Sequence, residues 1–127
     1  MTKFSENHQW VDYENGIATI GITAHAVEEL GEINFVELPT VGAAFTQDDI
    51  LCIVESAKAA SDILTPIGGS VCEVNEQLEE NLGLINGSPE TDGWICKFTD
   101  VDEAELDSLM EEEEYDVFVE QEIGGDE

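Results

Sequence analysis

The sequence predicts a mainly β domain, a sandwich or barrel of short strands with one brief helix in its N-terminal half and helices at its C-terminus. Three observations carry this. Residues 9–22 alternate apolar and polar around Asn15-Gly16; residues 32 to about 98 are short apolar runs broken by Gly, Pro, Asn and Asp; and after Thr99 the apolar spacing becomes helical. With 127 residues and 42% apolar content, one core burying roughly two-thirds of the unfolded surface is expected, so 1–127 reads as a single domain.

The elements follow in order. In HQWVDYENGIATIGIT, Asn-Gly suits the positive backbone φ of a tight hairpin turn, pairing Trp10, Val11 and Tyr13 with the run Ile17 to Ile22. Thr23 offers a capping oxygen, Ala26, Val27 and Leu30 share one face, and Gly31 suits a left-handed stop, giving a helix over about 24–30. INFVEL, PTVGAAF, DILCIVES, DILTPIGGSVCEV and GWICKF read as strands, and the halves on either side of Lys58 are loosely alike, as in a pseudo-twofold pair of sheets joined at that residue. In DEAELDSLM, Asp102 caps with Glu105 three residues on as a capping box, and Leu106, Leu109 and Met110 fall on one helical face. Tyr115, Phe118 and Val119 repeat that spacing, so about 100–120 is an acidic helical segment packed on the sheet, while 121–127 is expected to fray.

Charge limits the partners. Thirty-one acidic residues face three lysines and no arginine, and 14 of the acids fall after Thr99. A net charge of −28 repels phosphate backbones and anionic lipid, so nucleic acid and membranes are excluded as partners. The same charge suits basic docking surfaces on proteins, a need for solubility, or a saline habitat. No apolar run approaches the roughly 20 residues of a membrane span, and MTKFSENHQW lacks both a signal-peptide apolar region and an Arg-rich presequence, so a cytoplasmic protein is expected. Cys52, Cys72 and Cys96 sit in apolar strand-like runs and are expected as buried reduced thiols. His8 and His25 stand apart from any Cys pair or metal-ligand spacing, so no metal site is expected, and nothing positions a Cys–His nucleophile pair.

Lys58, in IVESAKAASDIL, is the only fixed cation between Lys3 and Lys97. Strand-like residues end at Val54 and resume at Asp62, so Lys58 should project from a hairpin tip with Ala57, Ala59 and Ala60 leaving its stem open. A solubilising surface lysine is the plain reading of such a residue. A Schiff-base lysine needs its pKa lowered by burial or a neighbouring cation, whereas Glu55 and Asp62 favour the ammonium. A covalently modified lysine has no such requirement, because an amide link makes the amine's own pKa irrelevant.

ESAKAASD resembles the ESVKAxSD lipoylation site of glycine cleavage H proteins, and the likeness runs nearly end to end. HQWV resembles that family's HEWV, GIATIGITAHAVEELGEINFVELP its IATIGIT, helix and LGDIVFVELP block, TPIGGSVCEVN its SPxSGEVxEVN, and LINGSPETDGW its LVNxxPYxxGW, followed by the AELDSLM helix. Biotin carriers typically show AMKM at the tip, and AKA lacks both methionines. The resemblance implies a flattened sandwich of the biotinyl/lipoyl hammerhead type carrying lipoate amide-linked to Lys58, with no catalytic residue of its own and a monomer when free. It implies a shuttle that takes an aminomethyl group from pyridoxal-phosphate glycine decarboxylase to the aminomethyltransferase and the dithiol to dihydrolipoyl dehydrogenase. A lipoylating enzyme is also implied, with Glu55 and Gly69, three before and eleven after Lys58, at the positions it reads. Relay of lipoyl groups to 2-oxoacid dehydrogenases and an unmodified acidic interaction module are the alternatives. Ala57, Gly68 and Ser70 replace the family's Val, Ser and Glu, changes expected to leave the hairpin intact. Gln9 replaces a Glu on the cleft where the loaded arm rests in the family, which predicts looser holding of the arm unless Glu29 or Glu14 supplies the charge.

Overall fold

The computed structural model describes residues 2–124. A short strand β1 (Thr2–Phe4) leads into the expected hairpin of β2 (Gln9–Glu14) and β3 (Ile17–Ile22), whose register runs from Gln9↔Ile22 to Glu14↔Ile17. Asn15 at φ 52° and Gly16 at φ 80° make the turn as the Asn-Gly signal requires. Helix α1 (Ala24–Leu30) starts at Thr23, whose Oγ1 accepts from the Ala26 N–H at 3.2 Å, and stops at Gly31. Gly31 takes φ 84°, ψ −171°, which lies outside the left-handed helical well and suits only a residue without a Cβ.

Strands β4 (Ile33–Glu37), β5 (Ala44–Phe45), β6 (Ile50–Ser56), β7 (Ala60–Leu64) and β8 (Gly69–Val74) follow, then two short helices, α2 (Gln77–Glu80) and α3 (Gly83–Gly87), and strand β9 (Cys96–Thr99). The strands form two antiparallel sheets, a six-stranded one in the order β1-β2-β3-β9-β8-β5 and a three-stranded one in the order β4-β6-β7. Val11, Ile20, Val54, Ile63, Ile67 and Phe98 are among the residues filling one core, each at most 5% exposed. This is the expected mainly β sandwich, but Lys58 does not join the two sheets: it lies in the β6–β7 connection within the smaller one, because β6 and β7 pair directly with each other.

The C-terminus departs from expectation in detail. Helix α4 (Glu103–Asp107) is capped by Asp102, which accepts from the Ala104 N–H at 3.0 Å, but Glu105 does not close a capping box. Its carboxylate accepts from the Gly68 N–H at 2.8 Å instead, tying α4 to the start of β8. Leu109 and Met110 lie beyond the helix, and Met110 exchanges two 2.8 Å backbone hydrogen bonds with Phe4. Helix α5 (Glu112–Gly124) packs Tyr115 on Phe4, with ring centroids 4.8 Å apart, and continues past residue 120, where the sequence suggested fraying; residues 125–127 lie outside the described residues. Cys52 and Cys96 are buried as expected, whereas Cys72 is exposed. The β8–β9 register shifts between Val71 and Glu73, so Cys72 is the extra residue of a bulge and turns away from the core.

Candidate functional site

Strands β6 and β7 end on the pairs Val54↔Ser61 and Glu55↔Ala60, leaving residues 56–59 to turn. Ser56 organises that turn: its N–H donates to Ala59 O at 2.9 Å, and its hydroxyl accepts from the Lys58 N–H at 3.2 Å. Ala57, Lys58 and Ala59 are exposed. Lys3 pairs with Glu111 at 3.6 Å, and Lys97 lies 4.0 Å from Glu73 and over the Trp94 ring. Among the described residues no carboxylate comes within that 4.0 Å reach of the Lys58 amine. Its stem runs over the end of α1, where a Cβ at Gly31 would lie 3.6 Å from Lys58 Cε.

Between the end of α1 and strand β7 opens a cleft of about 280 Å³ whose walls include Asn7, Gln9, Glu29, Leu30, Asp62 and Ile63. Gln9 lines it, only 3% exposed and with both amide heteroatoms hydrogen-bonded within the β1–β2 connection. The Ser5 hydroxyl donates to Gln9 Oε1 at 2.5 Å, and Gln9 Nε2 donates to Asn7 O at 2.9 Å. Glu29 lines the cleft and lies 2.6 Å from His25 Nε2, while Glu14 sits at the opposite end of the β2–β3 hairpin from Gln9. Asp62, an exposed carboxylate on the lysine hairpin itself, lines the same cleft; its place four residues after Lys58 in a strand was the available signal.

Glu55 stands exposed at the end of β6, on the hairpin that carries Lys58. Gly69 does not share that hairpin: it opens β8 in the other sheet, opposite Phe45. A Cβ there would lie 2.7 Å from Thr99 O and 2.9 Å from the Phe98 ring, so packing alone demands glycine. Burial pushes the Cys52 thiol up to about 12 and raises that of Cys96 as well, which keeps both protonated and unreactive. His8 and His25, far apart in sequence, come together with ring centroids 4.6 Å apart.

The glycine cleavage H-protein family model matches residues 2–122. The chain is 47% identical to the glycine cleavage system H protein of Phenylobacterium zucineum, covering 92% of this chain and 97% of that one. Against the protein of the same name from Thermotoga maritima, identity is 43%, with 96% and 98% covered. The crystal structure of a glycine cleavage system H protein from Mycobacterium marinum superposes with a TM-score of 0.80 at 30% identity, over 90% of this chain and 92% of that one. Fold and likeness along nearly the whole chain agree, and the chain belongs to the glycine cleavage H-protein family.

Proposed function

We propose that this chain is the non-enzymatic lipoyl carrier of a glycine cleavage system, with lipoate amide-linked to Lys58 Nζ. The observation that carries the reading is the state of Lys58: exposed, held on an ordered turn between alanines, and the one lysine without an acidic partner among the described residues. When bound, lipoate supplies the dithiolane that takes up an aminomethyl group and ends as a dithiol. Ser56 sets the turn that presents the amine, and Glu55 beside it gives a lipoylating enzyme a charged mark to read. Gly69 contributes by keeping β8 close against Thr99 and Phe98, the shape around which such an enzyme would fit. Leu30 and Ile63 give the cleft an apolar wall, and Asp62 offers a carboxylate to an ammonium carried on the arm. The partners of this reading are glycine decarboxylase, the aminomethyltransferase and dihydrolipoyl dehydrogenase. We take the compartment to be the cytoplasm; no helix among the described residues is long and apolar enough to cross a membrane.

Intact mass of the native protein, with Lys58→Arg beside it, tests the assignment. One lipoyl group on the parent and none on the variant is expected, with glycine cleavage lost and stability within about 0.5 kcal/mol, since an exposed turn residue makes few packing contacts. An unmodified Lys58 in cells that lipoylate other proteins would leave only an acidic interaction module.

A further inference from the structure

We propose that His8, His25, Glu29 and Glu122 form a binding site for a divalent transition-metal ion, Zn2+ by the chemistry of the donors, which clamps α5 to α1 at the rim of the cleft. One ligand atom from each of the four residues lies within 4.8 Å of all the others. They come from three separate elements: His8 from the β1–β2 connection, His25 and Glu29 from adjacent turns of α1, and Glu122 from α5. Such convergence is not the product of one amphipathic face.

The imidazoles are already aimed. His8 adopts φ 66°, a left-handed conformation uncommon outside glycine, and its backbone O accepts from the Thr23 N–H at 3.0 Å. Its Nδ1 lies 2.8 Å from Tyr115 Oη, which is 2.7 Å from Thr23 Oγ1, so the outer nitrogen is fixed by a hydrogen-bonded chain of the kind that orients metal-binding histidines. That leaves His8 Nε2 facing Glu122 Oε2 at 3.1 Å. His25 Nε2 is 2.6 Å from Glu29 Oε1 but not aligned for hydrogen bonding, and this buried nitrogen has no hydrogen-bond partner. Tetrahedral zinc with bonds of about 2.0–2.1 Å sets neighbouring donors about 3.3 Å apart, so no donor pair, at 4.8 Å or less, has to close by more than about 1.5 Å to complete the geometry. Two imidazoles with two carboxylates favour zinc over magnesium or calcium, which prefer all-oxygen shells of six or more. Two carboxylates balance the ion's charge, and their side chains, 57% exposed for Glu29 and 39% for Glu122, leave a way in.

Titration of Zn2+ and Co2+ into the full-length lipoylated chain tests this, with the dithiolane oxidised, Cys72→Ser removing the exposed thiol, and excess Mg2+ occupying the acidic surface. One saturable Zn2+ equivalent is expected, with strong visible absorption from tetrahedral Co2+. Glu122→Gln, on an exposed helix face, should weaken Zn2+ binding at least tenfold. His8→Asn, chosen because asparagine tolerates positive φ, should do the same. Binding unchanged in both variants, or no saturable equivalent at all, would show that the cluster is only two histidine–glutamate ion pairs.

Discussion

Lys58 and Gly31 show how one residue's chemistry depends on another's geometry. Gly31 ends α1 in a conformation that side chains avoid, and a Cβ there would sit in ordinary contact 3.6 Å from Lys58 Cε, so Gly31→Ala should strain the helix end without displacing the lysine stem. At Gln9 the geometry revises the expectation from the family pattern. Its Nε2 donates to Asn7 O, and a carboxylate in its place would face that oxygen as two acceptors. Gln9→Glu should therefore cost about 1–3 kcal/mol of stability and lengthen the aminomethyl adduct's lifetime little. Asp62→Asn should shorten that lifetime several-fold, as expected for losing a charge-assisted contact. Adduct decay without the transferase, followed in both variants, separates the two: a longer lifetime in Gln9→Glu would restore position 9 as the holding group. The thiols give a second check, since only Cys72 is exposed; with any lipoate oxidised, one fast equivalent with a thiol reagent is expected in the native protein and three after denaturation. The place of Lys58 on an exposed hairpin turn was legible in the sequence because strand-like runs flank a short stretch of small residues around it. The His8–His25 pair was not, because strands β2 and β3 separate its members and only the β1–β2 connection folds one onto the other.

Elements with a strong local signal read correctly, and elements set by distant contacts did not. The Asn15-Gly16 hairpin and the Thr23-to-Gly31 helix each carry their own start and stop chemistry. Leu78, Leu82 and Ile85 also have helical spacing, but Asn81 breaks the run into α2 and α3, each too short for periodicity to reveal. The span from Leu106 to Met110 looked like one helix because its apolar spacing continues; the Met110–Phe4 bridge takes the backbone out of the helix after Asp107. Helix α5 is then held through Tyr115, buried against Phe4 and bonded near Thr23 and His8. Burial, with the carboxylates of Glu90, Glu122 and Glu29 adding to it and the Thr23 hydrogen bond opposing, pushes the Tyr115 phenol up to about 12 from an ordinary 10. A raised folded-state pKa means its stabilisation is complete below about pH 10 and is lost as pH rises through about 12. Tyr115→Phe should cost about 1 kcal/mol at neutral pH through the lost hydroxyl bonds and flatten the alkaline decline relative to the parent. Comparing denaturation of the two chains cancels the contribution of the buried thiols, which titrate in both. Parallel declines would place the alkaline sensitivity elsewhere.

At the scale of the whole molecule, a charge of −28 on 127 residues acts in two directions that salt can separate. Within the chain, like charges repel and weaken the compact state; between chains, the same field would draw the proposed carrier toward a partner with a basic surface. The acids of α5 concentrate this field, and Glu112, Glu113 and Glu114 in its first turn also suit the positive end of the helix dipole. Screening over about 8 Å at physiological ionic strength weakens both effects. Raising salt should therefore raise the unfolding midpoint while slowing association with the decarboxylase, leaving dissociation nearly constant, because steering acts on the encounter. Neutralising Glu113, Asp116 and Glu120, all exposed on α5, should reduce both salt dependences without changing the complex's dissociation rate. Stopped-flow association and thermal unfolding measured across one salt series on both chains provide the comparison. A midpoint that rises with salt while association stays flat would mean that the acidic surface serves solubility alone and that docking relies on contacts made after encounter.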